Sequence, residues 1–294
     1  MQPTRNQRLD IMRQMAHNID VEPTGFAGFS CHWALPALEL ERMGEEAPFR
    51  WDLIEHSLQM FYERVDCQDF ASIALLRMLY RYPDSKLLTP ERRQSILDAL
   101  LQTKYEELDP GPDKVCWFTE NHQALWASSE YLVGQLLPDE IFSVTGKLGC
   151  WHRERARERV IRWLDWRIRF GFSEWNANGY CGMDLILAIN LAEFAEDTGI
   201  RNKANVVANL LLFDLAANSW RCMTAFTQGR AYEDQIKGPL STGMALFAHL
   251  LWGEEPKPGA SVIFLCASDF DVPEAISAVG RDLDRPLEIR ERQS

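Results

Sequence analysis

The chain lacks any run of about eighteen apolar residues, the length a membrane-spanning helix requires. Its first twenty residues, MQPTRNQRLDIMRQMAHNID, lack the apolar stretch and the small-residue cleavage site of a secretory signal. A soluble, cytoplasmic protein with no membrane partner is therefore expected. Paired-cysteine spacing is also missing: the seven cysteines include no CxxC, and an odd number suits reduced, buried thiols better than a disulfide framework. HExxH is absent as well. Four ligands would be available only if the fold joined Cys31-His32 to Cys150 and His152, so no metal and no cofactor are expected. Cations are the minority charge, and a net charge of −12 argues against nucleic acid as a partner, because phosphate binding needs clustered Lys and Arg. The one basic stretch, RERARERVIRWLDWRIR at 153–169, reads as a solvated helix face whose arginines sit near enough to glutamates to pair, or else as a face for an anionic ligand.

Alternating, strand-like segments are scarce too; VIFLC at 262–266 is the best of them and is too short to tell from buried helix. What is present is helical periodicity. The spacing predicts helices near 50–65, 68–81, 90–106, 120–136, 149–170, 183–198, 201–217 and 240–252, with weaker ones near 7–19, 34–43 and 272–281. Short linkers rich in Pro, Gly, Asp and Asn separate them, so successive helices are expected to be antiparallel neighbours. With 46% apolar residues over 294 positions a large core is available, and no fixed-period repeat points to a solenoid. The expected fold class is all-α: an (α/α) toroid of antiparallel helical hairpins, incomplete or single-domain. It would span 1–255, with 256–294 a charged tail or the link to a missing downstream domain. The segment 201–217 reads as an inner-ring helix, apolar around much of its circumference.

In such a ring a pocket forms where helix ends and loops converge, which directs attention to 107–119, 171–182 and 218–239. In WFTENHQALW (117–126), Thr119 is placed as the N-cap, so Glu120, Asn121 and His122 occupy the first helical turn. His122 is in phase with Leu125, Ser129, Leu132 and Leu136, at the mouth end of a buried stripe, where a core histidine and a reactive one are alternatives. The second stretch, FGFSEWNANGYCGMDL (170–185), sets Glu174, Trp175, Asn178 and Tyr180 among glycines. It reads either as a plain Asn-Gly turn or as a carbohydrate loop, since sugar faces stack on aromatics and hydroxyls need amides. A third, SWRCMTAFTQGRAYEDQIKGP (219–239), adds Arg230, Tyr232 and Glu233. Arg230 suits a substrate carboxylate as a planar fork, and Tyr232 stands behind Tyr180; an ordinary charged surface loop is the other reading.

An Asn-His pair opening a helix, followed by a glycine-rich loop carrying Glu174 and then Tyr180, resembles the heparinase II/III and alginate lyase superfamily of polysaccharide lyases over roughly 115–240. The resemblance implies β-elimination from an acidic polysaccharide or oligosaccharide. In that chemistry a uronate carboxylate must be neutralised or hydrogen-bonded before it accepts further charge. Asn121 matches that role, and His122 and Tyr180 match the proton-handling pair, either one serving as base or acid. Glu120, Trp117, Glu174, Trp175, Asn178, Arg230 and Tyr232 would line the substrate.

Two other functions fit the sequence. Glycosidases on similar toroids use paired carboxylates, for which Glu120, Glu174, Asp184 and Glu233 are available. A non-catalytic carbohydrate-binding or scaffold protein would use the tryptophans, seven of ten lying between 117 and 220, although Trp163 and Trp166 at helical spacing also suit a core.

Overall fold

The structure is a computed structural model that describes residues 5–17, 27–240 and 243–290. It is mostly helical, and among the described residues no helix is long and apolar enough to cross a membrane. Ser241, Thr242 and the last two residues of the helix expected at 7–19 lie outside the described residues. The chain divides into two compact units. An N-terminal unit comprises Met12–Ile161 with Phe194–Glu196, and a C-terminal unit comprises Arg162–Glu193 and Asp197–Ser294 with Met1–Ile11.

In chain order the helices are α1 (Arg5–His17), a 3₁₀ segment Ala27–Ala34, α2 (Leu35–Arg42), α3 (Trp51–Glu63), α4 (Gln68–Arg81), α5 (Pro90–Leu101) and α6 (Glu120–Leu136). There follow α7 (Gly149–Phe170), α8 (Tyr180–Phe194), α9 (Thr198–Asn218), α10 (Glu233–Lys237), α11 (Met244–Trp252), α12 (Val262–Cys266) and α13 (Glu274–Arg281). Their starts follow local chemistry. Pro90 supplies the pre-set first-turn φ of α5, while Thr89 Oγ1 accepts from the Arg92 amide at 3.4 Å. Asp197 caps α9 by accepting from the Gly199 and Ile200 amides at 2.8 and 3.2 Å.

Three differences from the periodicity reading have physical reasons. VIFLC is the short helix α12, every residue of it buried, and full burial erases the alternation that separates strand from helix. A two-stranded antiparallel ladder, Ile141–Phe142 (β1) with Lys147–Leu148 (β2), interrupts the helices; two-residue strands are too short to show a pattern. Helix α9 buries Ile200, Ala204, Val207, Ala208, Leu211, Leu212 and Leu215, at three- and four-residue spacing, and exposes Val206 and Phe213, so it is one-sided. Among the longer helices of the described residues, α4, α6 and α8 are buried nearly all round.

Within the N-terminal unit, α4 packs on α3, α5, α6 and the 3₁₀ segment. The buried face of α6 carries Glu130, which is fully enclosed and needs counter-charge. Helix α7 supplies it: His152 Nδ1 lies 2.5 Å from Glu130, Arg155 donates to the same carboxylate at 2.5 and 2.8 Å, and Arg159 donates at 2.9 Å. Arg155 also holds Asp109 with two bonds of 2.6 and 2.9 Å, and Arg153 reaches Glu196. Arg155 and Arg159 thus pair with carboxylates outside their own helix, one of them fully buried, where the sequence suggested pairs along a solvated helix face. Glu130→Ala leaves these arginines and His152 over an empty site, and a loss of about 3–5 kcal/mol in unfolding free energy is expected. Urea denaturation measures it, and a change below about 1 kcal/mol contradicts the network's role.

Candidate functional site

Four of the residues singled out in the sequence converge in the C-terminal unit. Tyr180 is the first residue of α8, three positions earlier than the periodicity suggested, so its ring projects from a helix start rather than from a free loop. Its hydroxyl lies 2.9 Å from that of Tyr232. Arg230 lies over the Tyr180 ring, its guanidinium carbon 4.1 Å from the centroid, and donates to the Tyr232 hydroxyl at 2.7 Å. Its NH1 donates to Glu174 at 2.9 Å. Burial works to lower the Arg230 pKa, but the bonds to Glu174 and Tyr232 outweigh it and hold the guanidinium above its usual value. The side chain of Arg230 is one-third exposed (33%) and that of Glu174 17%, which leaves the cluster open on one side.

Backbone contacts fix this convergence. The Gly229 amide donates to the Trp175 carbonyl at 2.6 Å, and a Cβ on Gly229 would lie 2.9 Å from the Trp175 nitrogen, so only glycine lets the two loops approach this closely. Asn178, fully buried, accepts from the Met244 amide through both its carbonyl (2.9 Å) and its side chain (2.7 Å), while its own amide donates to Gln228 Oε1 at 3.1 Å. It therefore ties loops together. Trp175 and Asn176 line a small pocket with Phe172, Leu211 and Phe226, and the indole Nε1 and the Asn176 Nδ2 are buried there without hydrogen-bond partners. The pocket's volume of about 10 Å³ admits one water and no sugar ring.

The Asn-His pair lies in the N-terminal unit, in the first turn of α6 as expected. Thr119 occupies the N-cap position but makes no capping bond; its hydroxyl donates to Asn121 Oδ1 at 2.8 Å instead. Asn121 has no exposed surface and His122 has 5%. His122 stacks on Phe70, with ring centroids 5.2 Å apart, and its Nδ1 lies 2.6 Å from Asp69 Oδ2. Burial pushes the Asp69 carboxyl up against the pull of His122, and the Asp69 pKa is raised. Beside this pair stand Asp66 and Cys67, just ahead of α4. Cys67 has φ +66°, an uncommon left-handed backbone for a non-glycine residue. Burial, then the charges of Asp66 and Asp69, push its thiol well above the usual value. Asp66 Oδ1 accepts from the Cys116 amide at 2.8 Å.

The remaining residues named from sequence are less engaged with either cluster. Trp117 packs on Trp126, with ring centroids 4.8 Å apart, and donates to Asp113 at 3.2 Å; Glu120 is buried. Asp184 is buried in α8, and Glu233 is exposed and pairs with Lys237. Trp163 is buried while Trp166 is half exposed. His32 Nε2 donates to the Phe70 carbonyl at 3.0 Å, and burial pushes the neighbouring Cys31 thiol up to about 12. Cys150 is exposed while His152 serves Glu130. Sequence reasoning missed Asp66, Cys67 and Asp69. The only signal was DCQD at 66–69, three polar or thiol donors at a helix start, which matches no ligand spacing by itself.

Comparison of the chain with protein-family models, curated proteins and solved structures finds no match. Geometry must carry the functional reading. Gly229→Ala sets a methyl group against backbone atoms, and a loss of about 1–3 kcal/mol is expected as the 219–239 loop moves off Trp175. Urea unfolding checks this, and an unchanged midpoint contradicts the close approach.

Proposed function

We propose that the protein is a carbohydrate-active enzyme that cleaves a uronic-acid-containing glycan by β-elimination, on an (α/α) toroid of helical hairpins. The observation that carries the reading is the convergence of Glu174, Tyr180, Arg230 and Tyr232, from two loops far apart in sequence, on a partly open surface. The order of burial along the chain supports the toroid. Helices α4, α6 and α8 are enclosed while α3, α5 and α9 between and beside them are one-sided, the alternation expected of inner and outer rings.

Elimination requires three things. A cation must hold the uronate carboxylate, a base must take the C5 proton, and an acid must protonate the glycosidic oxygen as its bond to C4 breaks. Arg230 commits two of its five N–H donors to Glu174 and Tyr232 and supplies the carboxylate contact through the rest. Because Tyr232 accepts from Arg230, its own proton is available to the Tyr180 oxygen, and the guanidinium lies over the Tyr180 ring. Tyr180 as phenolate takes the C5 proton and then returns it to the leaving oxygen. The products are one chain end with a new hydroxyl and one with a C4=C5 double bond. The resemblance gives Asn121 to the carboxylate and His122 to a proton. Asn121 is fully buried and His122 is engaged by Asp69, so the reading rests on the tyrosines and the arginine alone. Paired-carboxylate hydrolysis has less support, since Glu174 is the only carboxylate among the four converging residues.

An ultraviolet screen of uronate polymers, including alginate, heparinoids and hyaluronan, tests the reading. One of them should yield the conjugated unsaturated uronate, with kcat about 10²–10⁴-fold lower in Tyr180→Phe. Arg230→Ala should act on KM as well as kcat. Absence of unsaturated product from every polymer, or a Tyr180→Phe enzyme with unchanged kcat, overturns it.

A further inference from the structure

The N-terminal unit gathers a second set of reactive groups that the elimination does not use. Asp66, Cys67 and His122 each offer one donor atom, an oxygen, a sulfur and a nitrogen, all within 4.8 Å of one another. The set grades from exposed Asp66 through half-buried Cys67 to buried His122, so it meets solvent at one end. Its parts come from two helix starts that packing joins, those of α4 and α6.

An independent observation concerns Asp69. Two other buried carboxylates of this unit are fully matched: Glu39 by Arg42, Arg81 and the Tyr82 hydroxyl, Glu130 by His152, Arg155 and Arg159. Asp69 is fully buried, its Oδ2 meets His122, and among the described residues its Oδ1 has no hydrogen-bond partner. Buried carboxylates are costly unless compensated, and this one is fastened to an imidazole that stands within reach of a thiol and a second carboxylate.

We propose that Asp66, Cys67 and His122 bind a divalent transition-metal ion of the zinc class, with Asp69 as the carboxylate that orients the His122 ring. The donor set argues for the metal. A thiolate and an imidazole select zinc-like ions over calcium or magnesium, which take oxygen ligands alone. Ligand atoms around a tetrahedral zinc stand about 3.3–3.8 Å apart, given bonds of about 2.0–2.3 Å. The three donors stand at most 4.8 Å apart, so binding would draw them together by about 1 Å or a little more. The Asp69 bond to Nδ1 is the arrangement by which an outer carboxylate fixes a metal-binding imidazole, directing Nε2 to the ion. Three protein ligands leave a fourth position for water, and Asp66 gives it access to solvent. Binding releases the Cys67 proton to solvent. The site stands independently of the elimination chemistry.

The full-length protein, stripped with a chelator, is titrated with zinc alone by calorimetry and its metal content measured by elemental analysis. One equivalent per chain is expected. Asp69→Asn should weaken binding about 10–100-fold, and Cys67→Ser and His122→Gln by at least that much, whereas Cys150→Ser, at an exposed cysteine of the same unit, should leave it unchanged. Cobalt(II) in place of zinc should give a thiolate-to-metal charge-transfer band that Cys67→Ser abolishes. Where substitutions at the buried positions prevent folding, Asp66→Asn at the surface, verified as folded by circular dichroism, decides: binding weakened about ten-fold or more supports the site. Failure of the parent protein to take up zinc, equal affinity in folded Asp66→Asn, or a cobalt spectrum without the thiolate band overturns it.

Discussion

A buried carboxylate must be compensated, and in the N-terminal unit that requirement dictates which helices meet and where. Glu130 on α6 draws His152, Arg155 and Arg159 of α7 to one point, and Arg155 carries the link on to Asp109. Glu39 does the same for α2 and the end of α4, through Arg42, Arg81 and Tyr82. There burial alone would raise the Glu39 pKa, yet the two guanidinium groups bring it below its usual range, so the carboxylate stays charged and the pairs hold. Hydrophobic burial supplies the driving force for such helices, but a carboxylate with fixed partners sets their register. Asp69 obeys the same rule incompletely, with a single imidazole where the others have three partners. That shortfall is what singles out the start of α4.

The C-terminal unit assembles its chemistry by a different device. Tyr180 is held by the start of α8, Glu174 by the turns before it, and Arg230 and Tyr232 by a loop whose position depends on glycine-to-backbone contact at Gly229 and Trp175. The guanidinium then acts as a hub among two phenols and a carboxylate. Rigid placement of an arginine against a tyrosine suits proton transfer beside a bound carboxylate, because orientation and field are set before substrate arrives.

Much of this was legible in the sequence, and what was not has identifiable causes. Helices α4, α6 and α7 match their predicted bounds closely because apolar spacing and terminating residues agree there. The start of α8 lies earlier than its periodicity predicts because Asn178-Gly179 carries the composition of a turn, whereas the Asn178 side-chain oxygen accepts from the Met244 amide. Glu174, Tyr180, Arg230 and Tyr232 could each be named from loop chemistry, but their meeting depends on backbone contacts between distant segments that no local pattern encodes. Asp66, Cys67 and Asp69 went unnoticed because their partner, His122, lies on another helix. Thr119 shows the opposite case: its position was right, while its hydroxyl serves Asn121 and caps nothing.

The central claim is that bond cleavage proceeds by elimination at Tyr180 and Arg230. Mass spectrometry of the fragments from a defined uronate oligosaccharide tests it most directly, because elimination adds no water. The account predicts fragment masses that sum to the mass of the parent. Fragments whose sum exceeds the parent by one water, or an oligosaccharide left intact under conditions that cleave the polymer, would contradict it.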